Sequence, residues 1–164
     1  MGRSLLVFLM IFSFLEGFSQ AETRVVSHKI HLDLQEVLTV EMSQDNLESF
    51  VFNTEEAYES GIAQEAACTF KVKGNTDWYL SWQATSPSFT NAQGYQVPAS
   101  VLEIGKDANY APLTASASAN GVSGQRGNHN RAGNTFSLSY KAKPSHDMPK
   151  GEYSIEVMYT LTPR

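Results

Sequence analysis

From residue 26 to the C-terminus, the apolar period is close to two almost everywhere, and this rhythm constrains the fold more than any other feature. The clearest run is the last, where Tyr153, Ile155, Val157, Tyr159 and Leu161 alternate with Ser154, Glu156, Thr160 and Thr162. Phe136, Leu138 and Tyr140 repeat it, as do Trp78, Leu80 and Trp82, and Phe70 with Val72. Phe50 and Phe52 flank Val51, and Val26, Ile30, Leu32 and Leu34 form a less regular set. Successive side chains of a strand point to opposite faces, so a period of two places one face on a core and the other in water. No segment sustains the i, i+3, i+4, i+7 stripe of an amphipathic helix. The best helix candidate, residues 55–67, is interrupted by Gly61 and allows one short helical turn at most.

Turn residues punctuate the strands: Gly74-Asn75 before the Trp78 strand, Pro87 and Gly94 around Phe89, and Pro149-Lys150-Gly151 before the last strand. Many short strands with turn signals and no long helix predict an all-β sandwich or barrel. The composition supplies a core for it. Hydrophobic residues are 41% and charged residues 18%, which excludes a disordered chain. A net charge of −5 argues against a nucleic-acid partner.

The first residues predict a different fate from the rest. Arg3 precedes an uncharged apolar run over residues 5–15, followed by a polar end with Ser19 and Ala21 at the −3 and −1 positions. This is the pattern of a secretory signal peptide, residues 1–21, cleaved after Ala21. The run is short for a bilayer span, which makes an N-terminal anchor the weaker alternative. No later stretch is apolar enough to span, so the expectation is one exported domain, residues 22–164, with no membrane span in the mature chain. A single cysteine, Cys68, gives that domain no internal disulfide. Cys68 reads as a buried small hydrophobe in preference to a reactive thiol.

Two features are irregular. Residues 105–134 hold five glycines and are rich in Ala, Ser and Asn. They read as a long loop with a weak strand near residues 113–119. The glycines at 121, 124 and 127 read as flexibility, and the loop is either mobile surface or a binding loop. Charge is also uneven: residues 22–65 carry 10 acidic and 2 basic side chains, and residues 66–164 carry 6 and 9. Head-to-tail self-association is one consequence such asymmetry allows, a plain solvated surface the other.

The search for chemistry finds no catalytic set. His28, His31, His129 and His146 have no metal-ligand spacing, and Gly121-Val122-Ser123-Gly124 lacks the spacing and the preceding strand of a nucleophile elbow. Glu55, Glu56 and Glu59 read as a solvated acidic face rather than a glycosidase pair, and no calcium loop is present. The expectation is therefore a non-enzyme with no cofactor and no metal. Trp78 and Trp82 share a strand face with Leu80, for which the core reading is preferred. Tyr79, Tyr95 and Tyr110 remain as candidates for stacking on sugar rings.

The order Trp78-Tyr79-Leu80, then Phe89-Thr90, then Val97-Pro98-Ala99-Ser100 and Leu102, closed by Val157-x-Tyr159-Thr160-Leu161 and Pro163, resembles the WxL-type surface domains of bacteria and related small secreted β proteins of Bacteroidetes. The resemblance covers roughly residues 48–163. It implies an immunoglobulin-like or WxL-like antiparallel β-sandwich at the cell surface, associated with the cell wall. Trp78 and Leu80 match the first motif, and Tyr159 and Leu161 the second, where the family carries Trp in place of Tyr159. The expected function is a secreted, non-catalytic binding or structural module whose partner is a cell-surface polymer or another surface protein. Two alternatives stand beside it. One is a filament or fimbrial subunit assembled by strand addition, with the acidic segment 22–45 as the donated strand. The other is a stand-alone carbohydrate-binding module.

Overall fold

The long strands form around the period-two runs at Phe70, Trp78, Phe136 and Tyr159, and their pairing makes the core. The computed structural model describes residues 29–44 and 49–164. The expected signal peptide with its cleavage residue Ala21 lies outside the described residues, as do Val26 and His28. The chain divides into two units, Met1–Asp33 and Leu34–Arg164. All the regular structure described belongs to the second. It runs β1 (Leu38–Ser43), α1 (Glu55–Ser60), β2 (Ile62–Gly74), β3 (Trp78–Ala84), β4 (Ser88–Thr90), β5 (Gln96–Pro98), a 3-10 turn (Ala99–Val101), β6 (Leu102–Lys106), β7 (Asn109–Pro112), β8 (Val122–Gly124), β9 (Thr135–Ala142) and β10 (Val157–Pro163).

The fold is an antiparallel β-sandwich. One sheet has five strands in the order β1-β2-β9-β6-β7, the other has three in the order β10-β3-β8, and β4 and β5 form a separate hairpin. The two larger sheets meet through aromatic rings. Trp78 of β3 stacks on Phe136 of β9 with centroids 5.8 Å apart, and Phe136 stacks on Phe70 of β2 at 5.4 Å. Around them Val72, Leu80, Trp82, Ile104, Leu113 and Leu138 are buried. Each large side chain taken fully out of water contributes about 1.5–3 kcal/mol, so these rings and their aliphatic neighbours dominate the stability of a domain with no disulfide. Of the alternating residues identified in the sequence, Phe70, Val72, Trp78, Leu80, Trp82, Phe136, Leu138 and Tyr140 are buried, whereas Phe50, Phe52 and the last run, Tyr153 to Leu161, are only partly buried, and Phe50, Phe52, Tyr153 and Ile155 lie outside the strands.

The helix candidate divides at Gly61. Its first half is α1, six residues capped by Thr54, whose Oγ1 accepts from the Ala57 N–H at 3.2 Å. This is longer than the single turn expected. Gly61 ends the helix at φ +76°, a conformation in which a side chain would be strained. The second half is not helical: Ile62, Ala63 and Gln64 open β2 and pair with Ala142, Lys141 and Tyr140 of β9. A bulge between Gln64 and Cys68, with Ala66 at φ +49°, shifts the register there and hides the period from a reader of the sequence.

The stretch 105–134 also differs from its expectation. It contains β7 and β8, and the segment 113–119, where a weak strand was expected, holds none. Leu113, the first residue of that segment, is buried. Nor do Gly121 and Gly124 serve as flexibility. A Cβ on Gly121 would sit 2.2 Å from the Leu80 carbonyl oxygen, and one on Gly124 would sit 2.1 Å from the Trp78 ring. These glycines let β8 lie against the aromatic strand, a requirement of close approach. Among the described residues, no helix is long and apolar enough to cross a membrane.

Candidate functional site: an open seam between two outer strands

β1 and β10 are outer strands of their respective sheets. Tyr159 of β10 packs on Phe70 of β2 with centroids 5.0 Å apart, and its hydroxyl meets that of Tyr140 on β9. β10 therefore lies over β2 and β9, and β1 is the next strand beyond β2. The two outer strands border the same side of the sandwich. On the opposite side β8 closes toward the β6–β7 turn, where Lys106, Asn109, Tyr110, Asn120 and Ser123 line a polar cleft of about 570 Å³.

Pairing register shows which way the β1 and β10 side chains point, because directly opposed residues of an antiparallel pair share a face. Val40 opposes Val72 and Met42 opposes Phe70, and both partners are core residues. Val40 and Met42 thus occupy the core-facing side of β1, yet they are 42% and 44% exposed. Leu38, on the same side, is only partly buried. In the other sheet Val157, Tyr159 and Leu161 oppose Ala84, Trp82 and Leu80, all buried. Val157, Tyr159 and Leu161 themselves are only partly buried. Both outer strands present core-facing apolar side chains that nothing among the described residues fully covers.

The entry into β1 is anchored. Asn75 Nδ2 donates to the Gln35 carbonyl at 2.7 Å, Asn75 Oδ1 accepts from the Val37 N–H at 2.8 Å, and the Asn75 N–H donates to the Val37 carbonyl at 3.0 Å. Before that anchor, residues 29–37 lie outside any strand or helix. Ile30, Leu32 and Leu34 are 72%, 82% and 82% exposed. Scattered exposed apolar residues are ordinary, but these three stand at the strict spacing of two that gives one apolar face wherever a segment is extended as a strand.

The electrostatics of the seam are set by phenols. Burial raises the pKa of Tyr140 above its ordinary value, reinforced by the neighbouring Tyr159, and Tyr140 donates to Cys68 Sγ at 3.4 Å. Burial also pushes Tyr159 up to about 12. The pair stays neutral across the physiological range, so the seam carries no charge at this point.

The residues singled out in the sequence are distributed unevenly with respect to this seam. Trp78 and Leu80 are buried, and the Trp78 indole donates to Asn134 Oδ1 at 3.3 Å. They offer no surface to a ligand and are core, as their alternation indicates. Tyr159 and Leu161 line the seam. Tyr79 lies on the other face of β3. Its hydroxyl accepts from the Gly121 N–H at 2.9 Å and bonds the Ser118 and Ala119 carbonyls, while the Arg164 guanidinium covers its ring at 4.6 Å. It staples a loop. Tyr95 is exposed in the β4–β5 turn, its N–H held by Asn91 Oδ1 at 2.8 Å. Tyr110 on β7 donates to Glu65 at 3.0 Å, and burial together with that carboxylate raises its pKa. Among the described residues no ring contact joins any two of these three tyrosines. The seam residues Val40 and Met42 escaped sequence reasoning. Their alternation with Thr39, Glu41 and Ser43 is visible, but not their place on an outer strand.

No protein-family model matches the chain, and neither does any of the curated proteins compared with it. Among solved structures, a chain from the structure of a chaperone–usher pilus is similar over 88% of this chain and 97% of its own, at 12% identity and a TM-score of 0.45.

Proposed function

We propose that the protein is an exported, non-catalytic surface protein that assembles with other copies by strand addition, as the subunit of a filament or fimbria. The observation that carries this reading is the exposure of Ile30, Leu32 and Leu34, spaced as on one face of a strand, within residues 29–37, which among the described residues carry no strand or helix. Such a strand lowers its free energy by pairing with an open sheet edge, where main-chain hydrogen bonds supply affinity and alternate side chains supply specificity. Wall attachment through the first Trp-x-Leu motif is the weaker reading, because Trp78 and Leu80 are spent on the core.

Size-exclusion chromatography and electron microscopy of residues 22–164 test the reading. Concentration-dependent oligomers or fibres are expected. A clean monomer retained on cell-wall material would overturn it in favour of a wall-binding module.

A further inference from the structure

We propose that the peptide between Asn120 and Gly121 is a site of self-modification, where Asn120 loses its side-chain amide through a cyclic imide and water, and that the Tyr79 phenol restrains this reaction. The chemistry is intramolecular and stands whether or not copies assemble.

Two features meet at this peptide. The first is an obligatory glycine. A Cβ on Gly121 would sit 2.2 Å from the Leu80 carbonyl oxygen and 2.5 Å from Tyr79 Cζ, so a side chain here would keep the turn from approaching β3. The second is an exposed asparagine. Asn120 lies in the turn before β8 and is open to water. Asn120-Gly121 is the one Asn-Gly pair in the sequence. Asparagine is among the thermolabile residues, and a following glycine lacks the side chain that would obstruct ring closure. The packing of β8 on β3 therefore imposes a chemically labile peptide.

The step balances without an oxidant or a cofactor. The Gly121 amide nitrogen gives its proton to solvent and attacks Asn120 Cγ. The new N–Cγ bond closes the imide as the bond from Cγ to Nδ2 breaks, and Nδ2 takes a proton from water and leaves as ammonia. Water then opens either carbonyl of the imide, leaving aspartate or its β-linked isomer.

The attacking nitrogen is held. Its N–H donates to Tyr79 Oη at 2.9 Å, and the Tyr79 hydroxyl shares its own proton between the Ser118 and Ala119 carbonyls at 3.2 and 3.1 Å. The Asn120 N–H donates to Ser118 Oγ at 3.1 Å. The Tyr79 ring is fixed in turn beneath the Arg164 guanidinium. Ring closure requires the Gly121 N–H to leave Oη and the turn to swing toward Cγ, an opening local to this loop. Tyr79 is thus a positioning residue that opposes the opening. Once formed, the product places a carboxylate in the polar cleft that Asn120 lines with Lys106 and Asn109. The β-linked isomer also adds a backbone methylene two residues before Val122, the first residue of β8.

Peptide mapping by mass spectrometry, on full chain aged in mildly alkaline buffer, tests the proposal. The parent unfolded in urea is expected to convert Asn120 to the aspartyl and isoaspartyl forms, and the folded parent to convert slowly. Tyr79→Phe should convert about tenfold faster than the folded parent, because it loses the hydrogen bonds that oppose the opening. Tyr159→Phe, which loses a hydroxyl on β10 instead, should match the parent. Equal rates in the parent and Tyr79→Phe would overturn the restraint. Equal acceleration in Tyr159→Phe would also overturn it, since global stability would then be the protection. No conversion in the unfolded chain would overturn the site itself. Hydrogen exchange at the Gly121 amide of the parent tests the restraint without a variant: protection is expected, and exchange at the unfolded rate would overturn it.

Discussion

Tyr159 and Phe70 hold the two sheets together at the margin of the sandwich, their rings tilted by 56° with centroids 5.0 Å apart. Phe70 is buried beneath, and Tyr159 is only partly covered above. The contact marks where the closed core gives way to the open seam. Tyr159 therefore contributes to the core and lines the open seam through the same ring.

Replacing Tyr159 by Ala removes a partly covered ring from this margin and should cost about 2–3 kcal/mol, below the full cost of a deeply buried aromatic. Tyr159→Phe keeps the ring, loses the hydroxyl contact to Tyr140, and should cost about 1 kcal/mol. Urea denaturation midpoints would separate the two. Equal losses would show that the hydroxyl pair, not the ring, anchors β10.

Burial raises the Tyr159 phenol from 10.0 to about 12, so the folded state holds this proton more tightly than the unfolded chain. The stability this contributes is complete below pH 10 and is lost as pH rises through about 12. Chemical denaturation between pH 8 and 12 should show stability falling at the alkaline end, less steeply in Tyr159→Phe. Tyr140, raised in the same direction, keeps a residual slope in that variant. A flat profile in the parent chain would contradict the burial of the pair.

Gly124→Ala places a methyl group 2.1 Å from the Trp78 ring, a distance that forces movement of β8 or of the indole. An overpacking cost of about 3 kcal/mol follows. Gly133, where a Cβ would meet nothing within 4 Å, serves as the comparison for steric effects, though its φ of +88° carries its own backbone strain. Thermal melts should show Gly124→Ala as more damaging than Gly133→Ala.

Trp78→Ala should cost about 4 kcal/mol, because it opens a core cavity and leaves Asn134 Oδ1 without its indole donor. By contrast, Leu32→Asp alters an exposed side chain and should leave the unfolding midpoint within about 0.5 kcal/mol of the parent. It should nonetheless abolish self-association, read by sedimentation velocity. Loss of folding in Leu32→Asp would mean that Leu32 is part of the core.

Several of the alternating runs were legible beforehand, although the most regular, Tyr153 to Leu161, is only partly buried and becomes a strand only from Val157. Phe70, Trp78, Leu80, Phe136 and Leu138 lie on strands long enough for a period of two to declare itself, and each is buried. β8 is only Val-Ser-Gly, too short and too small to carry a period, and it is placed by its pairing with Trp78, Tyr79 and Leu80. The bulge at Ala66 similarly erased the rhythm at the start of β2.

The amino-acid order by itself determined that the chain builds pleated sheets and which face of each long strand is apolar, since side-chain direction along a strand is a local property of the backbone. Only the tertiary structure decided that Leu80 is enclosed while Val40 and Met42, equally apolar and equally well phased, are open to water. Burial depends on what lies across from a residue, and neighbours in space are fixed by sheet order rather than by sequence position.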